Sequence, residues 1–215
     1  MSVIAAAFDA VLFDCDGVLV DSETIANRAL YRTLQDIGLD MTMEEVANTF
    51  TGQSFSNCVL AIGEMLGGPV PDSFVPNNRN YFRTMLKDEL VSMSGVERVL
   101  KGLTVPFAVV TNSQHREMNN KLLYSGLDNF FPADRRFDTE TMGVAKPDPA
   151  IYQLAAKAMG VDITRCLIIE DSLPGITAGV GSGATVWGYR PHLTAAQIAE
   201  FKLPRVLTDW SEFPL

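Results

Sequence analysis

The stretch AVLFDCDGVLVDSE, residues 10–23, decides how the whole chain is read. Four apolar residues, Ala10 to Phe13, stop at two aspartates, Asp14 and Asp16, with Cys15 between them. Gly17 follows, then three more apolar residues and Asp21. A short unbroken apolar run is the signature of a strand buried on both faces, as in a parallel sheet. Carboxylates placed where such a strand ends lie where open parallel sheets bind ligands, beyond the carboxyl edge.

Working outward, the same arrangement recurs. FAVV, 107–110, ends in Thr111, Asn112 and Ser113, and CLII, 166–169, ends in Glu170, Asp171 and Ser172. TVW at 185–187 and RVL at 205–207 are two further apolar runs. Helical patterns separate most of these runs, which predicts an α/β fold with a parallel sheet. Lys146 stands in AKPDP, ahead of a helix that Asp148 can cap and Pro149 can start.

Residues 21–90 depart from this alternation and read as helices in series. Ile25, Ala29, Leu30, Leu34 and Ile37 keep helical spacing up to Gly38. Thr42 with Glu45 forms a capping-box pattern. Phe55, Cys58, Val59, Ile62, Met65 and Leu66 mark a further helix ended by Gly67 and Gly68, and Phe74 to Leu90 a fourth. The expected organisation is an α/β core of residues 1–20 and 91–215 and a helical insert of 21–90, with VSMSGV at 91–96 as the return hinge.

Composition narrows the classes of function. With 215 residues, 47% of them hydrophobic, the chain can bury a sizeable core. Its net charge of −9 lacks any basic stripe, which argues against nucleic acid and anionic membranes as partners. No run spans a bilayer, and the N-terminus has no basic region ahead of its apolar residues. The three scattered cysteines, Cys15, Cys58 and Cys166, match no metal pattern and suit a reduced cytoplasmic protein.

If the strands are parallel neighbours, Asp14, Asp16, Glu170 and Asp171 share one edge with Thr111, Asn112 and Lys146. Four crowded carboxylates repel one another, and magnesium is the plain remedy, since it favours a few carboxylates together with water and phosphate oxygens. A hydroxyl, an amide and a lysine remain to hold an anion, a set suited to phosphoryl transfer.

FDCDGVLVDS, VVTNS, KPDP and IIEDSLPGI, in this order, resemble the four motifs of the haloacid dehalogenase superfamily, in particular its phosphatase and beta-phosphoglucomutase-like branch. The resemblance implies a Rossmann-like parallel sheet carrying a small all-helical cap inserted after the first strand. It implies a magnesium-dependent phosphatase acting on a small phosphorylated metabolite, a sugar or polyol phosphate. Asp14 would be the nucleophile, and Asp16 the acid toward the leaving alcohol and then the base toward water. Asp14, Asp16 through its carbonyl, and Asp171 would hold Mg2+, with Glu170 binding it directly or through water. Thr111, Asn112 and Lys146 would take the phosphoryl group, and the cap loop at Gly52, Gln53 and Ser54 would select the substrate.

A dehalogenase would lack the second aspartate, and Asp16 is present. A phosphosugar mutase of the beta-phosphoglucomutase type is the second reading. Such members carry a histidine and an arginine in the cap, whereas no histidine lies in 21–90 and no cation in the loop at 51–55. The predicted preference is therefore for neutral sugar or polyol monophosphates over substrates with a second anionic group. A binding protein that lost its chemistry is a third reading, disfavoured because each catalytic position is filled. Outside the motifs, Asp21 reads as a helix cap, the three cysteines as packed thiols, and His115 and His192 as surface or capping residues. Gly179, Gly181 and Gly183 read as a helix end and turn.

Overall fold

The computed structural model describes residues 3–190 and 193–215, so His192 lies outside the described residues. The chain divides into two units, one comprising the segment up to Asp21 with Val91–Leu215, the other Ser22–Leu90.

The first unit opens with the short helix α1 (Val3–Ala7) and the strand β1 (Ala10–Phe13). The second unit follows as four helices, α2 (Ser22–Asp36), α3 (Met43–Phe50), α4 (Phe55–Leu66) and α5 (Phe74–Glu89). The local signals act as read. Thr42 and Glu45 close a reciprocal capping box on α3, and Ser54 caps α4 by accepting from the Asn57 N–H at 3.2 Å. Gly67 ends α4 at φ +71°, a left-handed backbone that costs glycine nothing. Leu30, Leu34, Val46, Phe50, Cys58, Ile62 and Phe74 form the core of this unit. Leu30, Leu34, Cys58, Ile62 and Phe74 are those that helical spacing places on inward faces; Val46 and Phe50 of α3 join them.

The first unit resumes with α6 (Val96–Gly102), β2 (Phe107–Val110), α7 (His115–Tyr124), β3 (Arg136–Phe137) and α8 (Thr139–Met142). Then come α9 (Ala150–Ala158), β4 (Cys166–Glu170), α10 (Leu173–Ser182), β5 (Thr185–Tyr189), α11 (Ala195–Glu200) and β6 (Arg205–Leu207). Among the described residues the sheet has six strands, all parallel, in the order β3-β2-β1-β4-β5-β6. Strand β1 is thus central, and the winding reverses direction beside it, the position at which such sheets place their ligand crevice. Phe13 lies opposite both Val109 of β2 and Ile169 of β4. That register brings Asp14, the residues after Val110 and those after Ile169 to one edge.

Both faces of the sheet are covered. Leu12, Ala108, Val110 and Ile168 pack with Ile151, Tyr152, Ala155 and Ile176 in one layer. The alternate residue Phe13 meets Phe107 and Trp210 at ring centroid distances of 6.2 and 5.9 Å, and Tyr189 stacks on Trp210 at 4.6 Å. Burial on both sides explains why the strands read as unbroken apolar runs. Five of the six strands coincide with apolar runs in the sequence. The sixth, β3, has two residues, too few to show any period. Gly183 ends α10 at φ +91°, so the glycine-rich segment is a helix end. Helix α9 starts at Ala150 rather than at Pro149; the Asp148 carboxylate accepts from the Ala150 N–H at 2.9 Å.

Candidate active site

The first-unit site residues predicted from the sequence meet at the carboxyl ends of β1, β2 and β4. Asp14 directly follows β1, and its N–H still donates to the Ile169 carbonyl at 3.0 Å, so the ladder fixes its backbone. Thr111 follows β2 and is 1% exposed; its N–H donates to the Phe137 carbonyl, and its Oγ1 accepts from the Ser113 N–H at 3.1 Å. Glu170 is the last residue of β4 and is fully buried, with Asp171 after it.

Lys146 is the hub. Its Nζ forms an ion pair with Asp14 Oδ1 and another, at 2.6 Å, with Glu170 Oε1. The segment that carries it is pinned by Asn112: Nδ2 donates to the Lys146 carbonyl at 3.1 Å, and Oδ1 accepts from the Lys146 N–H at 2.8 Å. The Lys146-Pro147 peptide bond is cis. The Asn112 side chain thus holds Lys146, and the Asn112 backbone N–H is a further donor that can be offered to an anion. Glu170 is likewise committed. Its Oε1 accepts from Lys146 and from the Tyr152 hydroxyl at 2.8 Å, and its Oε2 from the N–H groups of Asp171 and Ser172 and from Ser172 Oγ, at 3.0 to 3.2 Å. A carboxylate has about four lone-pair sites, and five protein donors occupy this one.

Burial and charge set the protonation states. Burial pushes the Asp14 carboxyl up to about 7; the Lys146 ammonium pulls it down only in part, and Glu170 and Asp16 raise it further. Burial pulls Lys146 down, but Asp14 and Glu170 outweigh it and hold the ammonium well above its ordinary range. Burial and the Glu170 charge keep the Tyr152 phenol protonated, so it donates.

Two glycines make room for the carboxylates. Gly17 has φ +74°, and a Cβ there would lie 2.0 Å from Asp171 Oδ2. A Cβ on Gly175 would lie 1.8 Å from Glu170 Oε1. The first is thus required both for its turn and for close approach. Asp14, Glu170 and Asp171 each offer a carboxylate oxygen within 4.8 Å of the others. The Asp14 and Asp171 oxygens are hard donors that fit a magnesium ion, while Glu170 is committed to its protein donors.

Asp16 is held apart from this hub. Its carboxylate accepts from Lys121 Nζ at 2.8 Å and from Ser113 Oγ at 3.2 Å. Lys121 and Tyr152 are the residues that sequence reading missed. Lys121 lies in NNKLLY with nothing to separate it from a solvated helix lysine, and Tyr152 occupies an ordinary core position of α9. His115 is half exposed and pairs through Nδ1 with the buried Asp138 carboxylate at 2.7 Å. Burial pushes Asp138 up, but His115 and the Thr141 N–H hold it below the ordinary range. Cys15 is fully buried, and burial raises its thiol well above the ordinary value.

The loop at 51–55 lines a cavity of about 310 Å³ within the helical unit. Gly52 and Gln53 contribute, with Glu23, Asn27, Phe82 and Arg79 from the neighbouring helices. Asn27 Nδ2 donates to Thr51 Oγ1 at 2.8 Å, and Gln53 Nε2 to the Thr49 carbonyl at 2.6 Å. Ser54 caps α4 and is absent from the lining. The loop itself carries no cation, but Arg79 of α5 lines the same cavity. The expected preference for neutral substrates rests on the loop alone, and the cavity adds two groups of opposite charge, Arg79 and Glu23. The arginine lies more than twenty residues from the loop, and only helix packing brings it there.

Comparison with known proteins agrees with this geometry. The family model described as haloacid dehalogenase-like hydrolase matches residues 8–183. A 6-phosphogluconate phosphatase of Escherichia coli (strain K12) is 31% identical over 180 residues, covering 83% of this chain and 81% of that protein. The crystal structure of a HAD family hydrolase from Deinococcus radiodurans R1, with bound phosphate and sodium, superposes with a TM-score of 0.86 at 34% identity, covering 96% of this chain and 93% of the other. The crystal structure of a putative beta-phosphoglucomutase from Thermotoga maritima has a TM-score of 0.79 at 23% identity, covering 94% and 95%, and shares the fold. Among the described residues no helix is long and apolar enough to cross a membrane.

Proposed function

The chain belongs to the haloacid dehalogenase-like hydrolase family and is a phosphoric monoester hydrolase; we propose that it is magnesium-dependent, hydrolyses small sugar or polyol monophosphates, and works through an aspartyl-phosphate on Asp14. The observation that carries this reading is the pairing of Asp14 with the buried Lys146 at the end of the central strand, beside Glu170 and Asp171. The free, buried cysteines support a reducing, cytoplasmic setting.

Asp14 Oδ attacks phosphorus, and the bond to the ester oxygen breaks as Asp16 gives that oxygen a proton. Asp16 then takes a proton from water, whose oxygen attacks the same phosphorus; the bond to Asp14 breaks and phosphate leaves. Thr111 Oγ1, the Asn112 N–H and the Lys146 ammonium hold the phosphoryl oxygens. Asp14, Asp171 and the Asp16 carbonyl would hold magnesium. Glu170, already filled with protein donors, fixes Lys146 and would contribute to the ion only through water. When bound, the ion neutralises charge on the carboxylates and on the phosphoryl oxygens.

The test is hydrolysis of 4-nitrophenyl phosphate with and without magnesium. Activity should vanish with EDTA, and magnesium should raise Tm, since it binds the folded carboxylates and not the unfolded chain. Asp171→Ala should shrink that thermal shift by more than half. Full activity in EDTA would refute the metal role, and no activity on any ester would favour a binding protein that lost its chemistry.

An acidic substrate would be taken by Arg79 in the cavity of the helical unit, whose lining also holds Glu23. Arg79 supplies the one cationic group of its lining, and the E. coli relative is named for a sugar acid phosphate. Arg79→Gln should raise KM for a carboxylated sugar phosphate by about tenfold, the scale of one charge-assisted hydrogen bond, while a neutral hexose phosphate changes by about twofold or less. Equal changes on both would return the preference to neutral esters and to the loop at Gly52, Gln53 and Ser54. Arg79 also gives the mutase reading a cation, but residues 22–90 contain no histidine. Release of inorganic phosphate, rather than an isomeric sugar phosphate, separates the two.

A further inference from the structure

Asp16 is the least buried of the acidic residues at the strand ends, with a side chain 35% exposed, on a turn that Gly17 bends into the left-handed region. A carboxyl on a turn has free side-chain torsions, yet a general acid acts only within hydrogen-bond reach of its target atom. Something must hold it. Lys121, on α7, is 3% exposed, and lysines are almost never buried unless paired. Its Nζ lies 2.8 Å from Asp16 Oδ1 and 2.8 Å from Oδ2. It also donates to Ser113 Oγ at 2.8 Å, and Ser113 Oγ donates in turn to Asp16 Oδ2 at 3.2 Å. The third partner is Glu117 Oε1 at 2.6 Å, one helical turn earlier.

An ammonium has three donors, and Asp16, Ser113 and Glu117 occupy them. Lys121 therefore has no donor left for a phosphoryl group, in contrast to Lys146, and Glu117 offsets its charge. We propose that Lys121 is the positioning residue for Asp16: with Ser113 it fixes the carboxyl that serves the leaving alcohol, and it does not itself touch substrate. This rests on the reading of Asp16 as the acid.

The experiment compares kcat/KM, which reports steps up to the aspartyl-phosphate, for glycerol phosphate and 4-nitrophenyl phosphate. An alkoxide leaving group needs the proton, and a nitrophenolate needs it far less. Lys121→Met should lower kcat/KM for the alkyl ester by about 30-fold and for the aryl ester by about 3-fold, and Lys121→Arg should recover part of the loss. Adding Lys121→Met to Asp16→Asn should change the ratio no further, because the two act as one unit. Equal losses on both esters mean that Lys121 only supports the fold, which overturns the proposal. Should Lys121→Met fail to fold, Ser113→Ala decides: it should show the same selectivity, about fivefold, and an unchanged ratio there also overturns it. If Asp16→Asn itself loses both esters equally, the acid role fails and the Lys121 proposal falls with it. If Asp16→Asn is selective and Lys121→Met is not, the Lys121 proposal falls alone.

Discussion

Asp14→Asn is expected to lower kcat by at least ~10⁴-fold on every phosphate ester, the scale of loss when a covalent nucleophile is removed. The amide keeps the shape of the side chain and cannot form the acyl phosphate. Stability should move the opposite way. Burial raises the Asp14 carboxyl from an ordinary 3.8 to about 7, so between those values the folded chain keeps a proton that the unfolded chain has lost. Such a group contributes stability that is fully present below the lower value and lost as pH rises through the upper one. Asparagine has no such titration. In EDTA, the Tm of the variant minus that of the wild type should therefore grow as pH is raised from about 4 to about 8. A difference that stays flat would show that burial of this carboxyl does not govern the site, and turnover near the wild-type rate would end the nucleophile assignment.

Lys146→Met is the second large effect, and it acts on both activity and stability. The substitution leaves the Asp14 and Glu170 carboxylates facing each other with no ammonium between them. Breaking a buried ion pair from one side costs about 3–5 kcal/mol, because the remaining charge is stranded. Urea denaturation should show a loss of that order, and kcat should fall by about 10³-fold as the phosphoryl group loses its cation. Glu170→Gln added to Lys146→Met should recover much of the stability. An amide can keep its oxygen toward the Asp171 and Ser172 donors while removing one charge. Activity should stay low. A double variant as unstable as the single one would mean that the cost comes from collapsed packing rather than stranded charge.

Much of this architecture can be read locally. AVLF, FAVV and CLII are unbroken apolar runs because both faces of the sheet are covered, and a run of four or five residues records that directly. The acids and hydroxyls that close those runs fall at one edge once the strands are parallel. The helices of 22–90 announce themselves through their spacing, the Thr42 and Glu45 box and the Gly67 stop. Strand β3 was not legible, since Arg136 and Phe137 are ordered by pairing with β2 and have no pattern of their own.

The sequence by itself determined which residue types stand at which strand ends, and hence the class of chemistry, since Asp14, Asp16, Thr111, Lys146 and Asp171 lie within short motifs. Tertiary structure decided what each of them can do. Asn112 has the residue type of an anion ligand, but its amide clamps the backbone of Lys146, 34 residues away. Glu170 has the residue type of a metal ligand, but five donors already fill it. Lys121 looks like a surface lysine and is buried against Asp16, 105 residues away, and Arg79 enters the cavity of a loop that has no cation. The reason is one of range. Strand and helix propensities act over a few neighbouring residues and leave periodic traces. A carboxylate's orientation and proton affinity depend on groups within about 3 Å of it, and folding draws those groups from distant parts of the chain without leaving a local pattern.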